Sequence, residues 1–545
     1  MSGNKGSYLF IGSLIGIRTT LATSIKVNET LSGSLRANRD KWKRLSDDEK
    51  SAYLAEQHEF AHHQLMTSSL AGVLYWRLNE AWVRDITWLS KELASFNLIP
   101  GRGMNLWDWW QKTGECKVKA SAAICSGRLS YMNHVFKHLN LVAEVRDYLY
   151  SNEIPSAQIT RREFSKMLSE AFGWCAERAG LSLNGEHHEF LDKSKNYVKI
   201  AAREPNQSTF STKDTYNFQA LFEAYSICEE LFVLQVVGDN ERAGDLLKKT
   251  LEGPFGGAMR VLIPLSKSSE WYLGFSPHIA KSFAMLMCNA PVDIAAYKEE
   301  RRLEEILPWL DLHKDFSHKG ISLHNLASIT ENIYSTLHQP LFTEKAEWLH
   351  YLNIPDIKSL KKYFSRPKSS DIEKFNLAVT SNAINQAAFT FKINLSSTYK
   401  LLMAWPESPA EYSKHFQSWF VDTKKSICIL EYTDGLHISL APTIQANEIP
   451  HLKNLITTQP LWVITGLLLR THQYYLVKSY WDGTCRPALK IVVDKLKELL
   501  DKEIGKHSDI YYRYLTEITN ELEKQAQSLF PNTLVVDDFD LYCDQ

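Results

Sequence analysis

One stretch near the N-terminus constrains the fold more than any other. Ser46-Asp47-Asp48-Glu49 has the form of a capping box. Ser stands at the N-cap, Glu three residues on, and the acids fall in the first turn, where they suit the helix dipole. The pattern predicts a helix from Asp47 to Met66, and that helix carries His58-Glu59-Phe60-Ala61-His62, an HExxH sequence. Positions i and i+4 share one helical face, so the His58 and His62 imidazoles can converge on one ion. Glu59 falls on the adjoining flank, where it can reach a metal-bound water without displacing a ligand. Leu54, Ala61 and Leu65 form an apolar stripe that turns this face inward, and buried neutral histidines without a partner would be costly. The alternative is a hydrogen-bonded helix with a partly exposed histidine cluster that includes His63.

A hydrolytic site of this kind needs a third protein ligand. Glu80 is near in sequence, but Arg77 and Arg84 lie one helical turn to either side and explain it as an ion pair. Glu223 is the better candidate. In FQALFEAY it interrupts an apolar helix with no cation at i±3 or i±4. A buried carboxylate without a partner should lose its charge, and a metal would supply that partner. Glu230 follows seven residues later on the same face and suits a group supporting a ligand; His63 is a second such candidate. Otherwise Glu223 is satisfied by an Arg or faces solvent. For a transition-state stabiliser Tyr272, His278 and His313 are the candidates, and Tyr225 is expected to face away from Glu223.

Composition narrows the class. The chain has 545 residues, with 44% hydrophobic and 12% aromatic, enough for a packed core and against a mainly disordered chain. The net charge of −1 and the lack of a long basic run argue against a nucleic-acid partner. None of the eight cysteines has CxxC spacing, which argues against a zinc ribbon. No apolar window approaches the ~18 residues of a membrane span, and the N-terminus does not read as a signal peptide. The expectation is a soluble, cytoplasmic protein with no membrane partner.

The fold expected is mainly α, of the α+β kind, with small β elements. Residues 1–340 form the first unit, 341–374 a linker region that includes Arg366-Pro367-Lys368-Ser369-Ser370, and 375–545 an α+β C-terminal region. The apolar stretch LFIGSLIGIRTTLATSIKV reads as one or two short strands. A second long helix runs to about Ala94. Tyr216–Val237 is a helix stopped by Gly238, and the next one ends near Gly253-Pro254. Ser276-Pro277 opens a helix that Pro291 ends. Residues 203–215 read as a polar loop. SICILEY and LHISLAP flank Thr433-Asp434-Gly435 as a β-hairpin. Helices are expected over Pro487–Glu503 and Asp509–Ala526, with an acidic tail from Asn532. The aromatic run Leu106-Trp107-Asp108-Trp109-Trp110 reads as core in preference to a binding patch.

The segment HEFAHHQLMTSSLAGVLYW resembles the zinc helix and following turn of a group of bacterial gluzincin-like HExxH proteins. In these a pattern like HEYxHFxQ precedes a Thr/Ser-rich turn and a Gly, and a later helix carries a Glu and then a second Glu. Here His58, Glu59, His62, Thr67, Ser68 and Gly72 match the first block. Glu223, Ala224 and Glu230 match the second, and Cys288-Asn289-Ala290-Pro291 looks like a third. Gln64 falls one place early, and His63 replaces an aromatic and leaves open which imidazoles coordinate. The resemblance covers about the first 320 residues. It implies a zincin-like metallopeptidase unit holding Zn2+ through His58, His62 and Glu223, with Glu59 as the base. The activity so implied is cleavage of a peptide bond in a specific intracellular protein, in bacterial stress or phage defence by analogy. The rival expectations are a non-catalytic helical scaffold with a structural or vestigial HExxH helix, and a metal-dependent hydrolase of non-peptide amides. A protein or peptide substrate is the expected partner.

Overall fold

The structure is a computed structural model. It describes residues 6–9, 14–31, 38–68, 70–98, 106–120, 125–150, 218–266, 271–277 and 428–439, with isolated positions that include 170, 174, 281, 284, 288, 477 and 481. Among these residues the chain is mostly helical with one small sheet. The elements are β1 (Gly6–Leu9), β2 (Leu14–Ile17), α1 (Leu21–Thr30), α2 (Arg39–Arg44), α3 (Asp47–Ser68), α4 (Leu70–Ser95), α5 (Leu106–Trp109), α6 (Glu115–Lys119), α7 (Ser126–Tyr150), α8 (Phe218–Val237), α9 (Asn240–Glu252), α10 (Gly256–Leu265), β3 (Cys428–Tyr432) and β4 (Gly435–Ser439).

The sheet joins strands near the N-terminus to residues 428–439. Its order is β1-β2-β3-β4. β1 is antiparallel to β2, with Gly6 opposite Ile17 and Leu9 opposite Leu14. β2 runs parallel to β3, pairing Leu14 with Ile429 and Ile17 with Tyr432. β3 and β4 form the expected hairpin, with Tyr432 opposite Gly435. The turn residues are therefore Thr433 and Asp434, one place earlier than an Asp-Gly turn. Asp434 is drawn elsewhere: its Oδ1 accepts from the Leu21 N–H at 2.6 Å, at the start of α1. All of β2 is buried, as suits a strand paired on both edges. Ile15, Ile17, Leu430 and Tyr432 make a small core against which Tyr8, Leu21 and Phe60 pack. Phe60 lies within the HExxH sequence, so the motif helix rests on the sheet.

Two local expectations are refined. The N-terminal apolar stretch is not strand throughout: Leu21–Thr30 is helix α1. Thr20 caps it, its hydroxyl accepting from the Thr23 N–H at 3.1 Å, and this hydroxyl cap overrides the strand-like alternation. The aromatic run forms α5 and a single π-helical turn over Trp110–Gly114. Trp110 is fully buried and stacks on Phe136 at 4.3 Å, so the run is core.

The capping box holds as read. Ser46 Oγ accepts from the Glu49 N–H at 3.2 Å, while Glu49 Oε2 accepts from the Ser46 N–H at 2.9 Å. α8 ends at Gly238, where φ is +80° and a side chain would be strained. α3, α4, α7 and α8 supply most of the main core, with Leu65, Leu78, Leu89, Val135, Phe222 and Leu231 inside it. Trp481 joins that core from the C-terminal region; its indole N–H donates to Ser90 Oγ at 2.8 Å. The expected loop at 203–215, the 341–374 linker, the helix over Pro487–Glu503, the tail from Asn532 and the Asn289-Ala290-Pro291 end of the third match lie outside the described residues, and of the helix expected over Asp509–Ala526 the position described is Asn520, which is helical. No helix of the described residues is long and apolar enough to cross a membrane.

Candidate metal centre

The cluster forms where α3 packs along α8. Both helices are apolar on the faces that meet: Leu54, Ala61 and Leu65 on α3 and Leu221, Phe222 and Tyr225 on α8 are buried. His58 Nε2 and His62 Nε2 stand 3.0 Å apart. Glu223 offers one carboxylate oxygen to each ring, Oε2 at 3.5 Å from His58 Nε2 and Oε1 at 3.5 Å from His62 Nε2. Among the described residues this is the group of three donors whose ligand atoms all lie within 4.8 Å of one another. Donors around a tetrahedral ion with bonds of ~2.1 Å are separated by ~3.4 Å, so the spacing fits one small divalent cation. Nitrogen–nitrogen–oxygen donors of this kind suit a borderline cation of the zinc type.

The neighbours complete the electrostatics. Glu230 Oε1 lies 2.7 Å from His58 Nδ1, the ring nitrogen away from the cluster. Burial alone would push His58 down, but hydrogen bonds with Glu223 and Glu230 and the charges of Glu230 and Glu59 hold it well above the ordinary imidazole value. For Glu223, burial would raise the carboxyl. The His62 charge and hydrogen bonds from both rings outweigh it and hold the acid well below its usual range. Glu59 is buried and moves the other way: desolvation and the nearby Glu223 and Glu230 raise it against the pull of His62 and His58.

His63 is set apart from the donor set. It is 1% exposed, its Nδ1 is 3.2 Å from the Tyr8 hydroxyl, and burial lowers it to about 3. Tyr8 also stacks nearly parallel to His62, with ring centroids 6.3 Å apart. His63 thus contacts Tyr8, and the imidazoles that face Glu223 are those of His58 and His62. Tyr225 makes its own contact with α3: its hydroxyl donates to Gln64 Oε1 at 2.7 Å. Behind it, buried Lys281 pairs with Glu229 and sets its ammonium 4.6 Å from the Tyr225 ring. Tyr272 is 68% exposed. His278, His313 and the side chain of Glu80 lie outside the described residues.

Tyr8, Lys281 and Gly6 were not legible as site-building residues in the sequence. Tyr8 sits in an ordinary strand pattern, and nothing local signals that the strand crosses α3. Comparison with known protein families, with curated proteins and with solved structures finds no match to this chain.

Proposed function

We propose that the protein is a zinc-dependent hydrolase with a zincin-like, gluzincin-type site, and that it cleaves a peptide bond in a specific protein inside a bacterial cell. The reading rests on one observation: two imidazoles on one helical turn and a carboxylate from a distant helix meet at 3.0–3.5 Å, beside a buried glutamate. His58, His62 and Glu223 would hold the ion. Zinc bound there would supply Lewis acidity, polarising a carbonyl and lowering the pKa of a coordinated water to about 7. Glu59 takes the proton from the attacking water and passes it to the leaving amine, a task suited to a carboxylate whose pKa is raised. Glu230 fixes the His58 tautomer, its carboxylate accepting from Nδ1–H so that Nε2 is free as a donor. We place the protein inside the cell, where a bulk digestive role does not fit, so regulated cleavage in stress or phage defence is the biological setting proposed, by analogy.

Two measurements test this. The purified full chain should carry about one zinc, by metal analysis. Cells expressing wild type should accumulate new protein termini that Glu59→Gln abolishes, by terminal-peptide profiling. A chain that binds no divalent cation sinks the reading. Bound zinc with identical effects of wild type and Glu59→Gln makes the site structural and the protein a scaffold. A Glu59-dependent effect without new termini points to a non-peptide amide.

A further inference from the structure

Strand β1 lies across the motif helix, and the contacts of alternate residues fall on α3. Gly6 and Tyr8 share one face of the strand, because side chains alternate with a period of two. Tyr8 on that face meets His62 and His63. Gly6 comes over Glu59: a Cβ built there would stand 2.7 Å from Glu59 Cγ and 2.8 Å from Oε1. Both are inside van der Waals contact. The need for glycine is spatial and not conformational, since the positive-φ glycines among the described residues are Gly238 and Gly274.

We propose that Gly6 is a positioning residue for Glu59: the bare backbone of β1 roofs the carboxylate and holds it beside the donor cluster. This rests on the reading of Glu59 as the base of a metal hydrolase. When a side chain is added at Gly6, either the strand or the glutamate must yield. β1 is held by its ladder to β2, itself a buried strand, and by the Tyr8–His63 hydrogen bond. Glu59 is one side chain on rotatable bonds, and its helix is anchored along its length by the main core. The glutamate therefore yields, while His58, His62 and Glu223 keep their places. A substitution at Gly6 would leave the metal bound and misplace the base.

The test uses the full chain loaded with cobalt(II), whose visible spectrum reports the donor set, and acetohydroxamate as the probe. Acetohydroxamate chelates the metal through its two oxygens, and its hydroxyl proton passes to a neighbouring carboxylate. Wild type, Glu59→Gln, Gly6→Ala and Gly6→Val are compared. All four should bind one equivalent of cobalt with the same spectrum. Glu59→Gln should weaken acetohydroxamate about tenfold or more, the scale of a lost hydrogen bond to a charged group. Gly6→Ala should weaken it in the same direction, and Gly6→Val at least as far. Gly6 variants that bind the probe like wild type while Glu59→Gln is weakened overturn the proposal and leave the hydrolase reading standing. Gly6 variants that lose cobalt also overturn it, because glycine would then serve the cluster itself. If Glu59→Gln binds the probe like wild type, Glu59 does not face the metal's open position, and the hydrolase reading fails together with this inference.

Discussion

Glu230 and His58 are joined at 2.7 Å through Oε1 and Nδ1, on the far side of the ring from the nitrogen that faces Glu223. One helix, α8, therefore supplies both a donor of the cluster and the carboxylate that orients another donor. Groups in this outer position are worth about 10–100-fold in metal affinity. Glu230→Ala is expected to keep a stoichiometry of one metal per chain and to weaken binding by about that factor. Competition with a chromophoric chelator measures it. An unchanged affinity would mean that His58 needs no orienting partner.

How far this centre was legible depends on the range of the signal. His58, Glu59 and His62 were readable because chemistry and helical period act within one turn. Glu223 was readable because an acid in an apolar helix has to be answered by something. Which imidazoles face it was not readable: His63 is one residue from His62, and only the fold shows that its ring turns to Tyr8. The sheet shows the same limit. The hairpin around Asp434 has a local signal, but the pairing of β3 with β2 spans more than four hundred residues and has none. The N-terminal apolar stretch does hold two short strands, and its end turns to helix at Leu21 because a hydroxyl cap at Thr20 outweighs a loose alternation.

The capping box ties acid stability to a named residue. Glu49 is lowered to about 2, first by the hydrogen bond from Lys26 Nζ at 2.9 Å and then by those with Ser46. An unfolded glutamate titrates near ~4.3. The folded form thus binds its proton more weakly than the unfolded form. The stabilisation is complete above the unfolded value and is lost as pH falls from there through the folded value. Glu49→Gln should flatten the stability curve over that window and change it by a constant amount above it. Ser46→Ala should cost ~1 kcal/mol through the lost cap. Denaturant midpoints across pH read both.

Thiol reactivity should divide the described free cysteines by burial. Cys116 and Cys125 are exposed, whereas Cys228 and Cys288 are buried. Burial pushes the Cys228 thiol up to about 12, and Cys288 moves the same way. The thiolate is the reactive species. Iodoacetamide at neutral pH should label Cys116 and Cys125 in the folded chain, and Cys228 and Cys288 only after denaturation. Peptide mapping by mass spectrometry reads the order. Early labelling of Cys228 would mean that the α8 core opens far more readily than its packing implies.

The buried pair behind the centre sets the final test. Lys281 and Glu229 are both nearly inaccessible, at 2% and 5% exposure, and Tyr225 covers the ammonium with its ring. Removing either partner leaves the other charge in a medium that solvates it poorly, at a cost of about 3–5 kcal/mol. Replacing both by apolar groups of similar size removes the two desolvation penalties along with the attraction and should be close to neutral. Lys281→Met and Glu229→Leu should therefore each lower the urea midpoint strongly, and the double variant should recover most of the loss. The metal adds a second readout. Glu229 precedes Glu230 on α8, so an α8 turned by an orphaned charge should bind metal more weakly, and the double variant should regain that affinity. Additive losses in the double variant would show that the two charges do not sustain each other.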